Sequence, residues 1–401
     1  MPEVRLEVEP FAKIKVIGVG GSGGSAVNRM IASKIKGVEF IAINTDVQAL
    51  HHNDAKHKLH IGEATTKGLG AGMDPNVGLQ AAQESVNELR DILKGADMVF
   101  ITCGLGGGTG TGASPVVAQI AKEIGALVVA VVTKPFAFEG AQRKEIAERG
   151  YKELESRVDT IITIPNDKIL QIIDKKTSLL DAFKTVDDVL RQGIQGISEA
   201  ITIPGIINVD FADVKAIMNN AGSALMGIGE ATGENRAVSA AKKAISSPLL
   251  DISIDGARGV MFILTGGSNL TMNEVNEVGS IIAESVDTNA KIIFGTVIDD
   301  NMKDKVRVTV VATGFDDDRP MPARATSLEE PKYHVNRLFS KKNIDDRIDD
   351  AKKNMNQQKK SVELPKEDDF KQFTPELKAN KRVVVEEDDL EIPAFIRRKM
   401  K

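Results

Sequence analysis

Aromatic residues and cysteine are scarce in this chain. Its 401 residues include no tryptophan, two tyrosines (Tyr151 and Tyr333) and one cysteine, Cys103. A single cysteine cannot form an internal disulfide, which fits a reducing compartment such as the cytoplasm. Because Cys103 ends an apolar run, a place in the core is favoured over a role as a nucleophile. We therefore expect cores built from aliphatic side chains.

Long apolar runs, a leader segment and an excess of basic residues are also missing. No stretch of about 18 or more apolar residues occurs, and no basic segment followed by an apolar one opens the chain. Acidic side chains number 57 against 52 basic ones, which argues against nucleic acid as the main partner. We expect a chain with no direct membrane insertion and no nucleic-acid partner.

What the sequence does contain is a glycine-rich stretch at 104–112, Gly-Leu-Gly-Gly-Gly-Thr-Gly-Thr-Gly. It follows the apolar run 98–103 and precedes a helix-like segment at 114–124, so the glycines lie where a strand turns into a helix. Glycines let consecutive backbone N–H groups point into one concavity, and the helix adds its positive dipole. Thr109 and Thr111 can add hydroxyl donors. The pattern predicts an anion site without a Walker lysine, since G-x-x-x-x-G-K-[ST] occurs nowhere.

A second glycine loop follows the first predicted strand, at 12–19, and precedes a helix-like segment at 26–31. Gly18, Gly20 and Gly23 satisfy G-x-G-x-x-G, and Asp46 follows where a Rossmann domain keeps its ribose-binding acid. An NAD(P)-dependent oxidoreductase is therefore an alternative. Two glycine loops facing one crevice, however, suit a triphosphate better than a pyrophosphate that one loop already serves.

Strand and helix patterns alternate through the first half of the chain. Apolar runs at 38–43, 98–103, 126–132 and 159–164 predict strands, and the third is apolar throughout, as expected of a strand buried on both faces. Apolar spacing predicts a helix over 77–93. This alternation indicates an α/β, Rossmann-like parallel sheet with helices on both faces and a ligand at the carboxyl ends of the strands.

The glycine-rich stretch at 104–112 resembles a known signature. Gly-Gly-Gly-Thr-Gly-Thr-Gly at 106–112 is the signature of the tubulin and FtsZ superfamily, and the likeness to the bacterial FtsZ family runs from about Ile14 to Phe315 and again at the C-terminal tip. The resemblance implies a division-ring GTPase that binds GTP or GDP, with Mg²⁺ held mainly through phosphates and water. It also implies head-to-tail filaments at the mid-cell division site; a structural filament protein that does not hydrolyse its nucleotide is a further alternative.

The resemblance also implies nucleotide contacts beyond the glycine loops. Glu139 follows a strand end and Arg143 lies one helical turn later; spacing alone fits an ordinary i,i+4 pair equally well, but the family uses this Glu and Arg for the sugar and phosphates. Asn166, Phe183 and Asp187 look like the guanine site. The complete set is Gly20, Gly21, Ser22, Gly23, Gly24, Ser25, Arg29, Gly104, Gly107, Gly108, Thr109, Gly110, Thr133, Glu139, Arg143, Asn166, Phe183 and Asp187.

One position departs from the family pattern. The family often has asparagine before its first helix, where this chain has Gly23-Gly24-Ser25. A side-chain amide is therefore missing there, and Ser25 offers a shorter hydroxyl group in its place.

Asp210 and Asp213 stand at the start of a predicted helix. Two carboxylates three residues apart can orient and polarise a water molecule, although an N-cap aspartate followed by an acidic N3 residue is also ordinary helix chemistry. The resemblance favours catalysis, with Asn208 in the same segment. A central helix predicted at 179–203 separates this segment from the glycine loops by roughly 30 Å. These acids are therefore expected to act on the nucleotide of the next subunit.

Composition changes again after residue 315. Residues 316–385 are rich in Lys, Asp, Glu, Gln and Pro, which predicts a disordered linker. The tip at 386–401 resembles the family's tail peptide, D-x-x-I-P-x-F-[LI]-R, and implies binding of membrane-tethering and regulatory division proteins. Its expected contact residues are Leu390, Ile392, Pro393, Phe395, Ile396 and Arg397.

These observations divide the chain into six parts. They are a flexible arm (1–11), a GTP-binding domain (12–178), the central helix (179–203), a second α+β domain with a mixed sheet (204–315), the linker (316–385) and the partner-binding peptide (386–401).

Overall fold

The computed structural model describes residues 12–315, apart from positions 172, 175, 204, 249 and 251–253. Our predictions for the arm, the linker and the partner-binding peptide concern residues outside this region. The strands are β1 (Ile14–Val19), β2 (Val38–Asn44), β3 (His57–His60), β4 (Met98–Gly104), β5 (Leu127–Lys134), β6 (Thr160–Pro165), β7 (Gly222–Thr232), β8 (Gly259–Gly266), β9 (Lys291–Ile298) and β10 (Lys305–Thr313).

Helices follow most of these strands. They are α1 (Gly20–Ala32), α2 (Val47–His51), α3 (Glu63–Thr66), α4 (Pro75–Glu84), α5 (Val86–Leu93), α6 (Thr109–Glu123), α7 (Ala141–Glu155), α8 (Asn166–Ile169), α9 (Leu179–Thr202), α10 (Phe211–Met218), α11 (Arg236–Ile245) and α12 (Met272–Glu284). Among the helices of the described region, none is both long and apolar enough to cross a membrane.

One sheet holds all ten strands, in the order β3-β2-β1-β4-β5-β6-β7-β10-β8-β9. The first six are mutually parallel and have the strand order 3-2-1-4-5-6 of a doubly wound nucleotide-binding fold. β7 continues the sheet parallel to β6, and β10 is antiparallel to both of its neighbours. The predicted α/β class is confirmed, and the mixed sheet of the second half extends the parallel sheet of the first.

Helices cover both faces of the parallel part. On one face α1 and α9 pack against Val16, Phe100 and Val129, while on the other face α4, α5 and α6 pack against Ile17 and Val99. Neighbouring residues of one strand thus enter different cores, which explains the continuous apolar runs. A third core lies between the second half of the sheet and α11 and α12.

Two helices begin earlier than the sequence predicts. α1 begins at Gly20 and α6 at Thr109, inside the glycine stretches, whereas the pattern suggested Ala26 and Ser114. Glycine has a low intrinsic helix propensity, and here packing overrides it. A Cβ on Gly23 would overlap the carbonyl oxygen of Thr102, so only glycine lets α1 lie this close to β4.

The predicted single helix over 77–93 is two helices, α4 and α5, that meet at Ser85. The Ser85 hydroxyl accepts a hydrogen bond from the Gly62 N–H at 3.3 Å. This hydrogen bond to the segment after β3 is made at the residue where α4 and α5 meet. The predicted central helix at 179–203 corresponds to α9, which ends one residue earlier.

Candidate functional site

A cavity of about 370 Å³ lies at the carboxyl ends of β1, β4, β5 and β6, with α9 closing one side. The strand order reverses between β1 and β4, and open α/β sheets bind ligands at such a switch point. Thirteen of the eighteen predicted nucleotide residues line this cavity: Gly21, Ser22, Gly104, Gly107, Gly108, Thr109, Gly110, Thr133, Glu139, Arg143, Asn166, Phe183 and Asp187.

Two helix N-termini converge on the glycine-lined end of the cavity. Neither α1, which begins at Gly20, nor α6, which begins at Thr109, has an acidic residue in its first turn. The unpaired N–H groups and the dipole of each helix favour an anion there. Ser22 Oγ accepts from the Gly104 N–H at 2.8 Å, which ties the two loops together and leaves its own hydrogen free to donate. This end can hold phosphate groups.

Glu139 and Arg143 form one wall of the cavity and bind each other. Arg143 Nη1 lies 2.5 Å from Glu139 Oε2, and Glu139 Oε1 accepts from the Phe136 N–H at 2.9 Å. The two residues therefore form an i,i+4 pair and also line the cavity. An ordinary helix pair and a nucleotide contact, the two alternatives that the spacing left open, are compatible. Arginine has five N–H donors, and those not used by Glu139 can donate to ribose or phosphate oxygens.

Asn166, Phe183 and Asp187 lie together at the other end. Asn166 is 6% exposed, and its buried Oδ1 has no hydrogen-bond partner among the described residues. Phe183 is 41% exposed and contacts the Phe136 ring edge-on, with 5.6 Å between centroids, which leaves a face available for stacking. An unpaired buried acceptor, an open ring face and a carboxylate fit a planar base that carries N–H donors, as guanine does.

Burial perturbs the acid at this end. Desolvation raises the pKa of the Asp187 carboxyl group to about 6, and the positive charge of Arg29 opposes the shift. Arg29 itself pairs with Asp188 at 3.8 Å. A carboxyl group with this pKa is ionised at neutral pH and can accept two N–H donors from a base.

Five predicted residues lie outside the cavity lining: Gly20, Gly23, Gly24, Ser25 and Arg29. Gly20, Gly24 and Ser25 face an adjoining hollow of about 340 Å³ that is edged by the amide groups of Asn28, Asn44 and Asn53. Gly23 serves helix packing, as described above, and Arg29 acts on Asp187 through its charge. These five residues therefore lie next to the cavity without lining it.

The acid of the dinucleotide alternative has another role. Asp46 is the N-cap of α2, where its carboxylate accepts from the Gln48 N–H at 2.8 Å and the Ala49 N–H at 3.1 Å. Both bonds go to Oδ1, so one oxygen of this carboxylate is engaged in capping, and Asp46 is not among the residues that line the cavity.

A loop that the sequence analysis missed also lines the cavity. Ala71, Gly72 and Met73 face the glycine end, and Arg143 Nη2 approaches the Met73 sulfur at 3.7 Å. The one available signal was the glycine spacing of 68–72, because no side chain in this loop is typical of phosphate chemistry. A wider hollow of about 740 Å³ behind Gly72 and Met73 contains none of the predicted nucleotide residues.

The predicted catalytic segment lies at the opposite end of the parallel sheet. Thr202, the last residue of α9, packs on Gly37 at the amino end of β2, so closely that a Cβ on Gly37 would overlap its hydroxyl. Beyond it, Asn208 Oδ1 accepts from the Gly205 N–H at 2.6 Å. Asp210 is the N-cap of α10 and accepts from the Ala212 N–H at 3.2 Å.

Asp213 differs from these two residues. It is exposed in the first turn of α10, and its carboxylate makes no hydrogen bond or ion pair within the described part of the chain. None of the three residues, Asn208, Asp210 and Asp213, lines the cavity. Asp213 is therefore the acid of this segment whose carboxylate is unpaired within the described residues.

No group of three or more His, Cys, Asp or Glu side chains in residues 12–315, outside the gaps noted above, is arranged to hold a metal ion. Binding of Mg²⁺ through phosphate oxygens and water, which is common for this ion, stays a prediction.

Comparison with protein families identifies the two halves of the chain. The model described as Tubulin/FtsZ family, GTPase domain, matches residues 13–174. The model described as FtsZ family, C-terminal domain, matches residues 222–316. The first match implies binding of GTP and GDP and GTPase activity.

Solved structures agree with these matches. The empty FtsZ dimer of M. jannaschii is 49% identical, with a TM-score of 0.73 over 76% of this chain and 88% of that one. A mutant of the same FtsZ gives 49% identity, a TM-score of 0.74 and coverages of 76% and 91%. The GTPγS-bound protofilament of CetZ2 from Haloferax volcanii shares the fold at 20% identity, with a TM-score of 0.65 and coverages of 75% and 92%. The chain therefore belongs to the FtsZ family of tubulin-like GTPases.

Proposed function

We propose that this chain assembles head to tail and hydrolyses GTP at the contact between successive subunits. The observation that carries the proposal is the length of α9, which separates the cavity from the acidic segment 205–213. Thr202 follows Asp187 by fifteen positions along this helix, a rise of roughly 22 Å at about 1.5 Å per residue. A carboxylate beyond Thr202 cannot reach a phosphate in its own cavity, but head-to-tail stacking brings it to the cavity of a neighbour.

The carboxylates that line the cavity are not placed to activate water. Among the described residues that line it, these are Glu139, which is paired with Arg143, and Asp187, at the base end. A group that activates water must lie within hydrogen-bond reach of that water. This supports assigning water activation to Asp213 and Asp210 of the next subunit, with Asn208 shaping the turn that presents them.

Exposed apolar side chains at both ends of α9 support a contact between subunits. Leu69 and Phe138 are 86% and 62% exposed beside the cavity, and Ile206 is 72% exposed in the acidic segment. Apolar groups gathered around one site mark interaction surfaces more often than scattered ones do. A contact between two different surfaces that does not close into a ring gives a filament. The CetZ2 protofilament is an assembly of a protein with the same fold.

The proposal extends to the part of the chain outside the described residues. We place the filament in the cytoplasm at the mid-cell division ring and assign 386–401 to recruitment of membrane-tethering and regulatory division proteins. Deleting 386–401 should leave GTP hydrolysis in solution unchanged and abolish binding to a membrane tether. Loss of assembly instead would assign the peptide to the filament.

Light scattering, pelleting and phosphate release with GTP, GDP, ATP and NAD test the proposal. We expect reversible assembly with GTP, and hydrolysis per subunit that rises with protein concentration as contacts form. Hydrolysis independent of protein concentration would contradict a shared site. Assembly with background phosphate release would favour a structural filament that binds its nucleotide without cleaving it.

A further inference from the structure

Thr45 and Thr109 form a pair of hydroxyl groups beside the phosphate end of the cavity. Their Oγ1 atoms are 2.6 Å apart. Thr109 lines the cavity, whereas Thr45, just after β2, is 0% exposed and lies behind it. Thr45 is too deeply buried to touch a ligand, so any effect on the ligand passes through Thr109.

The surroundings of Thr45 determine the direction of this hydrogen bond. A hydroxyl group carries one hydrogen, and burying that hydrogen without an acceptor is unfavourable. Within the described residues, the one hydrogen-bond partner of Thr45 Oγ1 is Thr109 Oγ1. Thr45 therefore donates and Thr109 accepts, which leaves the hydrogen of Thr109 free to point into the cavity.

Neighbouring groups hold Thr45 in place. Asn44 Oδ1 accepts from the N–H groups of Thr45 at 2.9 Å and Asp46 at 3.3 Å. The Thr45 carbonyl oxygen accepts from Thr66 Oγ1 and from the Gly70 N–H, both at 3.3 Å. A side chain anchored in this way can orient its neighbour with little further loss of conformational freedom.

We propose that Thr45 is a positioning residue for the nucleotide phosphates, because it orients the Thr109 hydroxyl as a donor towards them. This inference rests on the proposed GTP binding and adds a residue that does not touch the nucleotide. Phosphate oxygens accept hydrogen bonds and carry negative charge. A Thr109 that donated to Thr45 would present only lone pairs to them, whereas a donor oriented before binding stabilises the anion without reorganisation.

Two substitutions at Thr45 test the role of its hydroxyl group. Thr45→Val removes the hydroxyl and keeps the branched shape, while Thr45→Ser keeps the hydroxyl. Isothermal titration with GTP should show about fivefold weaker binding for Thr45→Val, the size expected for losing the one neutral hydrogen bond that orients Thr109, and near-normal binding for Thr45→Ser. Thermal unfolding of each variant without nucleotide reports on folding separately.

Thr102→Val is the matched control. Thr102 Oγ1, on β4, is also buried but has no hydrogen-bond partner in the described part of the chain, so its removal should leave GTP affinity unchanged. The double variant Thr45→Val/Thr109→Val tests whether Thr45 acts through Thr109. In a protein that already carries Thr109→Val, adding Thr45→Val should have little further effect on GTP affinity. An equal loss in both backgrounds, or a loss in Thr102→Val as large as in Thr45→Val, would overturn the inference. Failure of the unaltered chain to bind GTP would instead reject the proposed function.

Discussion

At the scale of single residues, Asp187 combines a predicted binding role with an unfavourable effect on stability. Burial raises its pKa to about 6, whereas an aspartate in an unfolded chain ionises near pH 4. The folded state therefore binds this proton more tightly than the unfolded state does. The stability contributed by this group falls as the pH rises from about 4 to 6. Ionised Asp187 destabilises the ligand-free protein at neutral pH.

Asp187→Asn should therefore raise the stability of the ligand-free protein at pH 7 and weaken GTP binding. The gain should be roughly 1–2 kcal/mol, less than the full shift would give because the carboxyl group is partly solvated, and it should vanish towards pH 4. Thermal unfolding across this pH range measures the gain.

The same substitution should also change the pH dependence of binding. Wild-type affinity for GTP should fall as the pH is lowered through about 6, because the protonated acid no longer accepts two N–H donors, while the affinity of Asp187→Asn should stay flat. Parallel profiles for the two proteins in GTP titrations would show that Asp187 does not contact the base in its ionised form.

At the scale of elements, the packing of α4 on α6 shapes the glycine end of the cavity. A Cβ on Gly112 would overlap the carbonyl oxygen of Pro75, and one on Gly108 would lie 2.8 Å from Ala71 Cβ. The signature glycines on this side thus admit α4 and the loop before it. Gly107 differs, because a Cβ there would meet nothing within 4 Å.

Gly112→Ala and Gly107→Ala should therefore fail in different ways. Gly112→Ala should lower the free energy of unfolding by about 1–3 kcal/mol, as overpacking does, and displace α4. Gly107→Ala should unfold like the wild type and affect only nucleotide binding, since Gly107 lines the cavity. Urea unfolding and GTP titration of both variants measure the two effects. A wild-type unfolding curve for Gly112→Ala would show that α4 can shift without loss.

The same elements show what could be predicted from the sequence. Continuous apolar runs identified the parallel strands, because such strands are buried on both faces. The starts of α1 and α6 were placed too late, because glycine's weak helix propensity hid helices that packing stabilises. The lining at Ala71–Met73 was missed because its position depends on α4 and α6. The base site proposed at Asn166, Phe183 and Asp187 came from family resemblance, since these residues are far apart in the chain.

At the scale of the whole molecule, α9 separates the cavity from the proposed acidic surface at 205–213, because the two lie at opposite ends of this helix. Asp213 is the better probe of the distant surface. Asp210 caps α10, so Asp210→Ala should also lose about 1 kcal/mol of stability. Asp213 makes no side-chain hydrogen bond in the described region, so its removal should leave folding unchanged.

Complementation between two inactive variants tests whether the site is shared. Asp213→Ala keeps an intact cavity but lacks the acid, and Asp187→Ala keeps the acid but has a damaged cavity. Each alone should hydrolyse GTP near background. In a 1:1 mixture, about one quarter of the head-to-tail contacts would join an intact cavity to an intact acid, so up to about a quarter of wild-type phosphate release should return.

The control for this mixture replaces an exposed acid far from the contact. Asp91→Ala on α5 should retain wild-type hydrolysis alone, because Asp91 lies on a surface helix away from both the cavity and the acidic segment. The two inactive variants must also pellet together with GTP, which shows that mixed filaments form. If they pellet together and phosphate release stays at background, an acid from the neighbouring subunit does not complete the site. Recovery of activity, in contrast, requires groups from two chains, because neither chain carries both.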